Sequence, residues 1–284
     1  MTENLKQAVI KRYSERIKAK SSCCGESAGC SSGSGSQKQV EASESSCCAG
    51  SSCTSDVQYG ELKDKLGDVS GQSFGCGNPI GQSSVMIGDT VVDLGSGAGL
   101  DCIRAVSRVG ATGKVVGVDM SEEMIAKATQ NVRKMGLDEQ VSFVKGDIED
   151  IPLTDNFATL VISNCVLALA PNKQKVFNEV YRILKPGGRF IISDVVSAEN
   201  IPQEMKDDVE LFSNCISGAS QVDEYYKAIL AAGFTNVEEL ERQNYGSLDA
   251  SGVGISLYSI TVKGYKYTQS QPIVGTRNAT KIKV

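Results

Sequence analysis

The 284-residue chain contains neither histidine nor tryptophan. Without histidine it has no imidazole base, no imidazole zinc ligand and no Ser-His-Asp triad. Aromatic residues are sparse, at 6%. Positive charge is in deficit, with 29 Lys and Arg against 34 Asp and Glu and a formal charge of −5. No basic stripe marks the ordered part, so a nucleic-acid partner is not expected. No run approaches the roughly 18 apolar residues of a membrane span. Residues 1–20 are charged and lack the apolar core of a secretory signal, so the expectation is a cytoplasmic protein without a membrane partner.

What the chain does have is cysteine, ten in all, and 40% apolar residues, enough for a sizeable core. In a cytosolic protein thiols are more often metal-binding or catalytic than disulfide-forming. The chemistry is therefore sought in thiols, carboxylates, amides and a cofactor.

Composition divides the chain into five stretches. Residues 1–20 form a helix by the spacing of Leu5, Val9, Ile10, Tyr13 and Ile17. Residues 21–56 are rich in Ser, Gly and Cys, and bury too little apolar surface to offset their ordering entropy. Residues 57–196 alternate strand and helix patterns, 197–268 continue with a helical region and late strands, and 269–284 form a polar tail. The predicted elements are strands Thr90–Leu94, Lys114–Asp119, Val141–Lys145, Ala158–Ser163 and Arg189–Val195, with late strands Val237–Gln243 and Gly254–Val262. Between them lie helices Leu100–Arg108, one from an N-cap at Ser121 to about Met135, and Lys173–Leu184. This alternation predicts an α/β fold with a parallel sheet covered by helices.

The strongest local motif is Val91-Val92-Asp93-Leu94-Gly95-Ser96-Gly97-Ala98-Gly99. A strand enters a turn that needs glycine for tight dihedrals and for close ligand approach. The helix beyond offers free N–H groups. Asp119 ends the next strand, where a carboxylate can hold the two ribose hydroxyls of a nucleoside. Two details favour S-adenosylmethionine over a dinucleotide. The spacing is G-x-G-x-G, and the acid Asp93 precedes the first glycine by two residues, suited to an ammonium group. Gly146-Asp147-Ile148-Glu149 follows the third strand, where an adenine would lie; the same loop also reads as plain solvated turn. The expected cofactor set is Asp93, Gly95, Ser96, Gly97, Gly99, Asp119, Met120, Ile148, Glu149 and Asn164.

Four cysteines lie outside the Ser/Gly/Cys stretch. Cys102 follows the helical pattern of Ile103 and Val106 and reads as a packed small hydrophobe. Cys76 sits in the turn Phe74-Gly75-Cys76-Gly77-Asn78-Pro79. Cys165 follows Ser163-Asn164 at the ligand edge of the fourth strand, and Cys215 lies in Asn214-Cys215-Ile216-Ser217-Gly218-Ala219. Each alone also reads as a buried structural thiol. Together they suit a soft acceptor bound by thiolates, which must be generated from thiols of pKa near about 8.5. Zinc is the rival, but a structural site wants four N/S ligands and no histidine is available.

From Tyr59 to Lys263 these segments resemble the arsenite S-adenosylmethionine methyltransferase family. The GCGNP, SNCV and CISGA segments carry the specific part of the resemblance; the glycine turn, GDIEDIPL and YRILKPGGRFIISD are shared with class I methyltransferases generally. The resemblance implies a Rossmann-like sheet with helices on both faces and a C-terminal α+β extension. It implies that Cys76, Cys165 and Cys215 hold trivalent arsenic, with Cys165 and Cys215 as the minimal pair. A further upstream cysteine would assist turnover; Cys47, Cys48 and Cys53 are candidates, with Cys48 or Cys47 the better placed by distance from Cys76. Family members commonly carry Asn where this chain has Ala168.

The implied reaction moves the methyl group of S-adenosylmethionine to arsenic, whose lone pair is the nucleophile, so positioning matters and no strong base is needed. Thiols supply reducing equivalents, reset by a thioredoxin- or glutathione-type reductant. Arsenite or its thiol conjugates are the expected substrate, and the expected state is a monomer. Two other readings stand beside this one. One is a class I methyltransferase acting on another small acceptor. The other is a non-catalytic thiol protein that sequesters metalloid.

Overall fold

The computed structural model describes residues 75–206, 218–250 and 253–267, with Gln7, Ala8, Lys11, Glu15, Leu62 and Leu66 before them. Of the expected N-terminal helix only Gln7, Ala8, Lys11 and Glu15 are described, and these four are helical. The rest of that segment, the Ser/Gly/Cys stretch and the tail lie outside the described residues.

Five strands form the parallel part of one sheet. They are β1 Thr90–Leu94, β2 Lys114–Asp119, β3 Val141–Lys145, β4 Ala158–Asn164 and β5 Leu184–Ser197. Two long strands, β7 Phe234–Ala250 and β8 Val253–Lys266, complete it as an antiparallel pair, and the two-residue β6 Ser220–Gln221 pairs with β5. The order is β3-β2-β1-β4-β5-β8-β7, with β8 antiparallel to β5. The chain thus leaves β1 in one direction through β2 and β3 and in the other through β4 and β5. Such a reversal opens a crevice at the carboxyl ends of the central strands. Asp93, Asp119, Cys165 and Asn164 all lie at that edge.

Helices cover both faces. The short α1 Pro79–Gln82, α2 Leu100–Val109 and α3 Glu122–Lys134 pack on one side, and α4 Lys173–Ile183 and α6 Val222–Ala231 on the other; α5 is the single turn Gln203–Lys206. The alternation of side chains along β1 divides the core. Val91 joins Ile103, Val106, Val109 and Val115 on one face. Val92 and Leu94 join Phe177, Val180, Ile183 and Ile229 on the other. Each such side chain contributes about 1.5–3 kcal/mol on full burial. Edge-to-face rings lock the second layer, with Phe177 against Tyr225 at 5.3 Å and Phe190 against Phe234 at 4.7 Å between centroids.

Several boundaries differ from the sequence reading. Strand β4 runs one residue further, to Asn164. Helix α4 stops at Ile183, and Leu184, expected in the helix, already pairs with Ala158. Arg189 then pairs with Leu160, so Lys185-Pro186-Gly187-Gly188 is an outward excursion within β5 rather than a stop before it. Strand β7 is much longer than expected because its outer part carries polar, exposed residues that alternation in hydrophobicity does not mark, and β8 extends by pairing alongside it. The sheet is therefore mixed, not wholly parallel. Among the described residues no helix is long and apolar enough to cross a membrane.

Candidate functional site: a glycine turn beside two buried thiols

The cofactor turn is held from below. Gly95 N–H and Ser96 N–H donate to Val118 O, at 2.8 and 3.1 Å, which ties the exit of β1 to the end of β2. Gly95 has φ of 66°, and a Cβ there would lie 2.3 Å from Val166 Cγ2. The residue after Cys165 thus packs against the first glycine of the turn, which only glycine permits. Gly97 has φ of 51° and open space where a side chain would be, a cradle for a ligand. The Ser96 hydroxyl beside it is buried without a hydrogen-bond partner among the described residues.

Three carboxylates gather around this turn. Asp119 accepts from Gly97 N–H and Ser121 N–H, each at 2.9 Å, and burial raises its pKa despite those bonds. Asp93 is buried, and burial, then the nearby Asp101 carboxylate, push its pKa well up. The Cys102 thiol donates to Asp93 Oδ2 at 3.3 Å, and its own pKa is pushed well up by burial and then by Asp93, so it stays protonated. Cys102 is the packed core thiol the sequence suggested, but with a hydrogen-bonding role the helical pattern did not reveal. Asp101 pairs with Arg104 at 3.2 Å, both buried. An orphan hydroxyl, a bare glycine cradle and clustered acids fit a nucleoside ligand carrying cationic groups.

Beyond β2 and β3 the surface opens into a cavity of about 510 Å³ lined by Met120, Glu122, Glu123, Lys145, Gly146, Asp147 and, from the N-terminal helix, Gln7. Ile148 lies in the core beside Val92 and Val118. Glu149 is buried, its Oε1 accepting from Asn172 N–H at 2.8 Å. That bond ties the loop after β3 to the start of α4.

The thiols come together in a separate small cluster. Cys76 and Cys165, 8% and 4% exposed, pack with Ala168, Val195, Ile201, Ala219, Ile255 and Leu257. Both are free thiols. The Cys76 turn is pinned by Asn164, whose Oδ1 accepts from Cys76 N–H and Gly77 N–H at 3.1 and 3.2 Å. Its Nδ2 donates to Gly77 O at 2.9 Å and to Asp101 Oδ2 at 3.3 Å. Asn164, expected in the cofactor set, therefore has both ends of its amide on the Cys76 turn and the Asp101 carboxylate. Ser259 Oγ–H donates to Cys76 O at 2.8 Å. A Cβ on Gly75 would fall 2.3 Å from Asn164 and one on Gly77 2.6 Å from Ser193, which explains the glycines flanking this cysteine.

Cys165 itself adopts φ of 61°. A left-handed residue with a side chain costs about 1–2 kcal/mol. The strain is held by its N–H, which donates to Ser193 O at 2.8 Å. It turns the chain out of β4 into the 3₁₀ turn Leu167–Leu169. Ala168 is fully buried in the thiol cluster, and its N–H donates to Asp194 Oδ1 at 3.3 Å. Burial raises the Asp194 pKa to about 6, opposed by Lys173. Asp194 closes the YRILKPGGRFIISD segment and Lys173 opens a predicted helix, but their roles here arise only from which loops they meet.

Cys215 and the upstream candidates Cys47, Cys48 and Cys53 lie outside the described residues. Ala219, four residues after Cys215, belongs to the Cys76–Cys165 cluster. Among the described residues no three His, Cys, Asp or Glu converge as a metal site.

A family model described as a methyltransferase domain matches residues 87–233, a little over half the chain. The chain is 39% identical over 246 residues to an arsenite methyltransferase of Halobacterium salinarum, covering 83% of this chain and 59% of that one. It is 35% identical to one of Aquipseudomonas alcaligenes, covering 72% and 62%. The chain thus spans about three-fifths of the length of these curated relatives. Among solved structures, an arsenic(III) S-adenosylmethionine methyltransferase of Chlamydomonas reinhardtii superposes with a TM-score of 0.65 at 33% identity, covering 73% of this chain and 74% of that one. The strand order, the glycine turn with its acids and this match over most of both chains lead to one assignment: the chain belongs to the arsenic(III) S-adenosylmethionine methyltransferase family.

Proposed function

We propose that the chain transfers the methyl group of S-adenosylmethionine to trivalent arsenic held by thiolates of Cys76, Cys165 and Cys215. The observation that carries this reading is the contact between the two halves of the site. Cys76 and Cys165 share one apolar cluster, and the residue after Cys165 packs on Gly95 of the cofactor turn. The names of the relatives support arsenic as the acceptor.

Asp93, Ser96, Gly97 and Asp119 would hold the cofactor, with Met120 and the Gly146-Asp147 edge at the open cavity. When bound, S-adenosylmethionine supplies an activated methyl on a positively charged sulfur. The acids around the turn favour that cation, and a bound cation would in turn favour the ionised form of the buried Asp93 carboxyl. Ile148 backs the loop from the core, while Glu149 fixes it to α4. The protein need not move a proton in the key step, because the arsenic lone pair is the nucleophile. Its task is orientation: the Asn164 amide and the left-handed Cys165 backbone fix where two sulfurs point. Cys48 and a glutathione- or thioredoxin-type reductant would complete turnover. The free Cys76, Cys102 and Cys165 thiols suit a reducing compartment, and the proposed working form is a cytoplasmic monomer.

The test is direct. Purified protein with arsenite, S-adenosylmethionine and a thiol reductant should yield methylated arsenicals and S-adenosylhomocysteine in step. Cys165→Ser and Cys215→Ser should each lower that rate at least 100-fold. Turnover of an organic acceptor with none of arsenite would replace this reading with another methyltransferase activity. Arsenite binding without S-adenosylhomocysteine would replace it with sequestration.

A further inference from the structure

We infer that Lys173 is a positioning residue of the thiol site, an ammonium clamp that ties the turn after Cys165 to the chain that follows Cys215. The inference rests on the arsenic reading above and says how two of its thiol-bearing segments are kept in register.

Lys173 is the first residue of α4, after the N-cap Asn172. That is the wrong end of a helix for a cation, since the macrodipole favours anions there. Its charge is directed elsewhere. Lys173 Nζ–H donates to Ala170 O at 2.6 Å, to Gly218 O at 2.9 Å and to Ala168 O at 3.3 Å. An ammonium has three donors, and here they reach two separate stretches of chain. Ala168 and Ala170 belong to the turn that directly follows Cys165. Gly218 is three residues beyond Cys215, and three residues of chain span at most about 11 Å.

The opposite side of the same turn is held by a buried anion. Asp194, fully buried in β5, accepts from Ala168 N–H and interacts electrostatically with Lys173. The turn after Cys165 is thus gripped at its N–H by a carboxylate and at its carbonyls by an ammonium. Among the described residues the regular pairing next to Gly218 is short: β6 is only two residues long, pairing Ser220 with Val196 and Gln221 with Ser197. Ala219, between Gly218 and β6, packs in the Cys76–Cys165 cluster. A clamp at Gly218 therefore acts where the regular pairing is shortest. An arsenic atom bridging two thiolates tolerates little error in their separation, whereas cofactor binding does not depend on it.

The experiment uses the full chain and arsenite as the probe. In Lys173→Met the Kd and KM for arsenite should rise at least tenfold, while the Kd for S-adenosylmethionine stays within twofold. Lys173→Arg, which keeps the charge and donors, should recover most of the loss. Labelling of Cys165 by a dimethylarsenous halide, which can bond a single thiol, should proceed at the parent rate in all variants. If Lys173→Met does not fold, Lys173→Gln against Lys173→Arg decides: equal arsenite affinity in the two overturns the clamp. Unchanged arsenite affinity, or an equal loss for arsenite and S-adenosylmethionine, also overturns it. Should Cys165→Ser and Cys215→Ser keep full arsenite binding, the arsenic reading itself fails, independently of Lys173.

Discussion

The two halves of the candidate site are built on different physics. The cofactor half is local. Strand β1, the turn Gly95–Gly99 and helix α2 are contiguous, and Asp119 comes one strand later. The thiol half is assembled from distance. Cys76 precedes the sheet, Cys165 follows its fourth strand, and Asn164 bonds a turn 88 residues away in sequence. A local half depends on a few dihedrals and can be read from spacing. An assembled half depends on every element that brings its segments together. The halves meet at Gly95 against Val166 and at Asp101 against Asn164.

The sharpest way to break this division is Gly95→Ala. The new Cβ would meet Val166, and the residue would keep a left-handed backbone. Strain of about 1–2 kcal/mol adds to overpacking of about 1–3 kcal/mol. Both affinities, for S-adenosylmethionine and for arsenite, should fall at least tenfold in calorimetric titrations. Adding Val166→Ala should restore part of each. If only cofactor binding fell, the contact between the halves would carry no functional weight.

A smaller and one-sided effect is expected from Asp119→Ala. It removes the acceptor of Gly97 N–H and Ser121 N–H. Loss of about 2 kcal/mol would weaken S-adenosylmethionine binding roughly 30-fold. Arsenite binding should stay within twofold, because among the described residues this carboxylate accepts from the glycine turn and from Ser121 rather than from a thiol-bearing segment. An equal loss of both would show that the halves are coupled more tightly than their geometry implies.

The smallest functional effect should come from the far edge of the sheet. Asp89 and Arg189 form a buried ion pair at 2.7 Å, before β1 begins. Burial raises the Asp89 pKa, but the Arg189 and Thr159 bonds outweigh it and hold it below the usual carboxylate value. Asp89→Asn leaves a buried guanidinium unpaired and should cost about 3–5 kcal/mol of stability. Both affinities should be unchanged at a temperature where the variant is folded. Because the folded pKa is the lower one, the contribution is complete above the unfolded value near about 3.9 and is lost as pH falls through the folded value. Thermal melts of parent and variant should therefore converge in acid.

The same local-versus-assembled contrast explains what could be read in advance. Thr90–Leu94 and Lys114–Asp119 appear where hydrophobic runs placed them, because buried parallel strands are nearly continuous in apolar residues, and the edge strand Val141–Lys145 appears where its alternating run placed it. Ser121 caps α3 through Met124 N–H, as its residue type suggested. The antiparallel β7 and β8 were underestimated, since the polar, exposed part of β7 is held by pairing with β8 and not by burial. Cys102 was legible as a core residue but not as the donor to Asp93, and Asn164, expected among the cofactor residues, gave no sign of anchoring the Cys76 turn.

By itself the sequence determined the α/β alternation, the glycine turn with Asp93 and Asp119, and the three motifs in which Cys76, Cys165 and Cys215 stand. These follow from short-range causes: periodicity, turn dihedrals and residue chemistry within a few positions. Only the tertiary structure decided that Cys76 and Cys165 share one apolar cluster, that Asn164 and Asp101 join it to the glycine turn, and that Lys173 reaches two stretches of chain that each follow a cysteine in sequence. Those relations are distances between residues far apart in the chain. They exist only once the sheet has set its strand order.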